Sequence, residues 1–119
     1  MIIGIGTDIT ENKRFEKWLI KPAMIERYFN VRELAGFTLT TELLASRFAA
    51  KEAFVKALGT GFKYLSLKNI YIIKNENGGP QIELCGDALD SLEKRGGKRV
   101  LVSLSHEKEY SIAFVVIEG

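Results

Sequence analysis

The spacing of apolar and polar positions divides the chain into one opening strand, several helical stretches and two later hairpins. Ile2 to Ile9 is short, rich in β-branched residues and punctuated by Gly4 and Gly6, which predicts a strand ending at or just after Asp8. Thr10 offers a cap to a helical segment reaching about Leu19, and Pro22 suits the first turn of a helix through about Phe29. Asn30 followed by Glu33 is a capping-box pattern for a short helix ending near Gly36. The longest helical segment, Glu42 to Leu58, has Thr40 or Thr41 as its cap and Gly59 as its left-handed stop.

Asn69 to Lys74 and Gln81 to Cys85 read as strands joined by the hairpin loop Asn-Glu-Asn-Gly-Gly-Pro. A modest helix from about Asp87 to Arg95 ends at Gly96 and Gly97. Arg99 to Ser105 and Tyr110 to Ile117 form a second hairpin through His106 to Glu109. Strands and helices mix without βαβ alternation, so the expected class is α+β: a mostly antiparallel sheet packed on a long central helix.

At 119 residues, this pattern predicts one domain spanning 1–119, with a single hydrophobic core. Seventeen basic against 15 acidic residues leave a formal charge of +2, too small a surplus to point by itself to nucleic acid or a membrane. Cys85 is the sole cysteine, so no internal disulfide forms, and it reads as a small apolar residue at a strand end. The opening residues lack a basic leader and carry Asp8, and no run approaches a membrane-spanning length; a cytoplasmic, soluble protein is expected.

Projected at about 100° per residue, Leu43 to Leu58 is apolar all round, so this helix should be buried on most sides and its charges need partners. Arg47 and Lys51 share one sector, and Glu52 and Lys56 another. Glu52 either makes an i,i+4 surface pair with Lys56 or faces a metal ion. Asp8 either begins a turn or faces a cleft that the glycines open. Two carboxylates on a strand and a helix would suit Mg²⁺ shared with substrate phosphates, with lysines and Arg47 complementing phosphate oxygens. His106 is either an ordinary loop residue or a phosphate contact, and Trp18 reads as a packing residue. Lys13, Lys17 and Lys21 recur every four residues, forming a solvated stripe or a docking face for an acidic partner.

Ile-Gly-Thr-Asp-Ile at 5–9, Arg-Phe-Ala-Ala-Lys-Glu-Ala at 47–53, Lys-Ala-Leu-Gly-Thr-Gly at 56–61 and Ser-Leu-Ser-His at 103–106 resemble, in order and spacing, the holo-acyl-carrier-protein synthases, the short trimeric type of 4'-phosphopantetheinyl transferase. The resemblance implies transfer of 4'-phosphopantetheine from coenzyme A to a serine of an acyl carrier protein. It implies Asp8 and Glu52 as Mg²⁺ ligands, and Lys56 beside the reacting phosphate with Glu52 sharing in catalysis. Arg47, Lys51, Gly59 and His106 would lie along coenzyme A, and Arg14, Lys17 and Lys21 would meet the acidic carrier. It further implies a homotrimer with sites between subunits, no nucleic-acid partner and no membrane. The stretch from Asn30 to Glu42 is shorter than this family's pattern, which leaves the part played by Glu33 open.

Two rival readings make different predictions. A nucleotide- or RNA-binding module would bind in a salt-sensitive way without a divalent cation. A structural oligomer with Glu52 and Lys56 as an internal pair would respond to neither coenzyme A nor Mg²⁺.

Overall fold

The computed structural model describes residues 1–59 and 65–119. A long helix, α3 (Thr41–Leu58), packs across a three-stranded antiparallel sheet ordered β1-β5-β4. These strands are β1 (Ile2–Glu11), β4 (Arg99–His106) and β5 (Tyr110–Glu118). A separate antiparallel hairpin, β2 (Ile70–Lys74) with β3 (Pro80–Leu84), contacts another side of α3. Short helices α1 (Pro22–Tyr28) and α2 (Val31–Leu34) precede α3, and α4 (Gly86–Lys94) follows the hairpin. This is the α+β arrangement that the pattern predicts.

The ends of α3 follow local chemistry. Thr40 accepts a hydrogen bond from the Leu43 amide at the N-terminus, and Gly59 adopts φ +73 at the C-terminus, where its amide donates to the Val55 and Lys56 carbonyls. The helix is buried nearly all round, as its apolar projection predicts. Its approach to β1 depends on small residues. Gly4 and Gly6 face α3, and a Cβ on either would overlap the carbonyl oxygen of Ala57 or Ala53. Glycine is required there because the helix backbone occupies the space of a side chain.

Two apolar clusters flank α3. One joins Phe54, Leu58, Ile70, Ile72, Val115 and Ile117; the other gathers Phe15, Phe29, Leu44 and Phe48. Trp18 packs in the second, its ring 4.7 Å from that of Phe15 and 5.4 Å from that of Tyr28.

The segment expected as a helix from Thr10 to Leu19 differs. Thr10 and Glu11 continue β1, and Asn12–Phe15 and Trp18–Ile20 are separate 3-10 turns. Asn12 explains the difference: its amide donates to the Glu109 carbonyl at 2.8 Å, and its buried side chain donates to the Glu107 and Lys108 carbonyls and accepts from Ser111. The chain is therefore held to the β4–β5 turn before it leaves the sheet. Lys13, Lys17 and Lys21 do not share one helical face as a result.

Candidate active site

Along β1, Gly6, Asp8 and Thr10 point toward α3, whereas Ile5, Thr7 and Ile9 point away. The glycine-permitted contact thus brings the half-buried Asp8 against the second half of α3. Asp8 Oδ1 accepts from Lys56 Nζ at 3.0 Å, and Oδ2 accepts from Thr10 Oγ1 at 2.8 Å. Lys56 also donates to the Thr7 carbonyl at 3.1 Å. Asp8 lies within β1 rather than at its end, paired in register with Ala113.

Glu52 stands one turn before Lys56 and is half-buried. Burial raises its pKa above the ordinary carboxylate value, and the negative charge of Asp8 raises it further, while Arg14 and Lys56 oppose the shift. The two carboxylates therefore sense each other across the strand–helix contact. Among the described residues, no ion pair joins Glu52 to Lys56, which turns instead to Asp8. Arg14 reaches the same corner, its guanidinium 4.8 Å from the Phe48 ring centroid.

Lys51 departs from its expected place on coenzyme A. It is fully buried, bonded to Glu33 Oε2 at 2.6 Å and to the carbonyls of Leu67, at 2.9 Å, and Ile70. Those acceptors use all three ammonium hydrogens, leaving none for a ligand. Glu33, the residue whose part the sequence leaves open, is also fully buried: it completes the α2 capping box with Asn30 and accepts from the Ile72 amide. Burial lowers the Lys51 pKa, and Glu33 resists that shift.

Arg47 is buried beneath Phe37, its guanidinium 5.2 Å from the ring centroid, with Nη1 3.4 Å from Ser46 Oγ. His106 is exposed at the end of β4, Nδ1 3.8 Å from Glu42 Oε2. Among the described residues, no hydrogen bond or ion pair links Arg47 or His106 to Asp8 or Glu52 within one chain. Lys17 and Lys21 are exposed beside Trp18 and before α1. Gly59 is exposed at the foot of α3 with the Arg95 side chain beside it, a cation that no sequence pattern singled out. Thr60 and Gly61, which complete the glycine block, lie outside the described residues.

This scaffold matches a known class. A sequence model of the 4'-phosphopantetheinyl transferase superfamily matches residues 4–115, and the chain belongs to that superfamily of transferases. Within it, the chain stands among the holo-[acyl-carrier-protein] synthases. It is 47% identical over 123 residues to the Treponema denticola holo-[acyl-carrier-protein] synthase, covering 100% of both chains. The Treponema pallidum holo-[acyl-carrier-protein] synthase is 44% identical over 122 residues, covering 100% of this chain and 98% of the relative. The crystal structure of the Neisseria meningitidis holo-[acyl-carrier-protein] synthase superposes with a TM-score of 0.88 at 40% identity over 100% of both chains. The Helicobacter pylori holo-[acyl-carrier-protein] synthase, solved in complex with coenzyme A, gives 0.84 at 32% identity, over 96% of this chain and 99% of that one.

Proposed function

We propose that this chain acts as a single catalytic domain that transfers 4'-phosphopantetheine from coenzyme A to a serine of apo acyl carrier protein, releasing 3',5'-adenosine bisphosphate, with Mg²⁺ held by Asp8 and Glu52. The observation that carries this reading is the meeting of Asp8, Glu52 and Lys56 in one partly buried corner. The donor set suits Mg²⁺, which commonly takes one or two carboxylates and fills its remaining positions with water and phosphate oxygens. Among the described residues no cluster of three or more His, Cys, Asp or Glu is present, so two carboxylates are what this corner supplies. When bound, Mg²⁺ neutralises pyrophosphate charge and acts as a Lewis acid on the phosphoryl oxygens.

The residues have separable tasks. The serine oxygen forms a bond to the β-phosphorus of coenzyme A while the bond from that phosphorus to the bridging oxygen breaks and the adenosine bisphosphate leaves. Lys56 supplies a fixed positive charge near the phosphates. The serine proton leaves to water beside the half-buried Glu52, whose carboxylate would be engaged in holding Mg²⁺. Arg14, beside Glu52, and the exposed Lys17 and Lys21 further along the same segment present positive charge to an acidic carrier.

A homotrimer with sites between subunits fits two further features. The sheet face opposite α3 carries exposed Ile5, Ile9, Leu101, Ile112 and Phe114, an apolar surface of the kind that subunit contacts cover. Arg47 and His106 stand apart from the carboxylates within one chain, as a site shared by two copies requires. Light scattering tests the assembly; conversion of an apo carrier by this protein, with and without Mg²⁺, tests the transfer.

A further inference from the structure

Thr10 is only 4% exposed and lies on the face of β1 that Gly6 and Asp8 share and that α3 covers. Its sequence position suits a helix cap, but no helix starts there: Thr10 pairs with Ser111 in the register of β1 and β5. The hydroxyl is spared from capping and donates to Asp8 Oδ2 at 2.8 Å. Strand geometry permits the contact, because residues two apart point to the same side, and its direction is fixed, because a carboxylate only accepts.

A carboxylate turns easily about its last side-chain torsion, whose preferences are broad and roughly two-fold. Asp8 is held against that rotation at both oxygens, by Lys56 Nζ on Oδ1 at 3.0 Å and by Thr10 on Oδ2. The two holds are unequal. The Lys56 side chain is long and 51% exposed, whereas Thr10 is short, buried and β-branched, which restricts its own first torsion. The Lys56 ammonium and a metal cation at Asp8 would also repel each other, while a neutral hydroxyl tolerates both. Thr10 is therefore the hold that is compatible with a bound metal.

We infer that Thr10 is a positioning residue for Asp8, its hydroxyl fixing the orientation of the carboxylate and so strengthening the hold of this corner on Mg²⁺. The inference rests on the proposed reading of Asp8 and Glu52 as metal ligands. Outer groups that orient a ligand typically change metal affinity by roughly tenfold to a hundredfold. Thr10 acts through Asp8, so its loss should weaken metal binding and leave the chemical step intact once metal is saturating.

The test titrates Mg²⁺ into the full-length protein with saturating coenzyme A and no carrier, reading the melting temperature, so that binding is followed without turnover. Thr10→Val keeps the β-branched shape that suits the strand but lacks the hydroxyl, and its Mg²⁺ midpoint should rise about tenfold. Thr10→Ser, which keeps the hydroxyl, should titrate near the wild type. Transfer to an apo acyl carrier protein gives a second readout: Thr10→Val should need about tenfold more Mg²⁺ for its half-maximal rate, yet approach the wild-type kcat. Melting curves in chelator report any loss of packing separately. An unchanged Mg²⁺ midpoint in Thr10→Val, or a serine variant as weak as the valine one, would overturn the inference; so would a valine variant whose kcat stays low at saturating Mg²⁺. A wild type whose melting temperature does not respond to Mg²⁺ would instead overturn the metal reading on which the inference stands.

Discussion

Lys56 gives its hydrogen bond to Asp8, across the strand–helix contact at 3.0 Å, and not to Glu52 one turn earlier on its own helix. The i,i+4 spacing that suggests a simple surface pair is therefore not used as one. Asp8 is compensated, whereas Glu52 keeps a half-buried carboxylate without an ion pair among the described residues. An added cation would relieve Glu52 most.

Removing either carboxylate should therefore stop transfer without unfolding the chain. Asp8→Ala and Glu52→Ala are each expected to lower kcat/KM by roughly a hundredfold or more, beyond the effect typical of residues that only support a metal ligand. Circular dichroism should remain that of the wild type. A variant that keeps near-wild-type, Mg²⁺-dependent activity would remove that residue from the metal site.

Glu52 should also make stability depend on pH in a recognisable way. Its folded-state pKa is raised, so the folded state holds the proton more tightly than the unfolded state does. Stability contributed by this group is then lost as pH rises from the ordinary carboxylate range through the folded-state value. In the presence of a chelator, Glu52→Gln should melt above the wild type at neutral pH. The two should converge below about pH 4, where the carboxyl is protonated in both states. Added Mg²⁺ should raise the melting temperature of the wild type and leave that of the variant nearly unchanged.

Gly6→Ala tests the contact that assembles the corner. The new methyl would overlap the Ala53 carbonyl, and because that atom belongs to the helix backbone, α3 must move away from β1. A destabilisation of about 1–3 kcal/mol is expected from overpacking. Activity should fall by more than stability alone explains, because Asp8 and Glu52 separate. A variant with wild-type rates would show that their spacing does not matter.

The Glu33–Lys51 pair should behave as architecture. Each single replacement, Glu33→Leu or Lys51→Met, strands a buried charge and should cost about 3–5 kcal/mol. The double variant should recover most of that loss in a denaturant titration. Additive losses would show that the two residues act separately.

How far the sequence revealed this arrangement depends on how local each signal is. The cap, apolar body and glycine stop of α3 all act within a turn of where they are read, and the Asn30–Glu33 capping box forms as its spacing predicts. Thr10 misled because a threonine at the end of an apolar run can equally cap a helix or continue a strand; the bonds of Asn12 to the β4–β5 turn, remote in sequence, decide for the strand. Lys51 shares a helical sector with Arg47, and the resemblance puts both along coenzyme A. Its partner Glu33 lies 18 residues earlier, and no periodicity within α3 reports it.

The most direct measurement is the intact mass of an apo acyl carrier protein after incubation with this protein, coenzyme A and Mg²⁺, beside a chelator control. The account predicts a gain of one phosphopantetheine, absent with chelator and absent with Asp8→Ala or Glu52→Ala. No gain with several carriers, from protein that is folded and assembled, would contradict it.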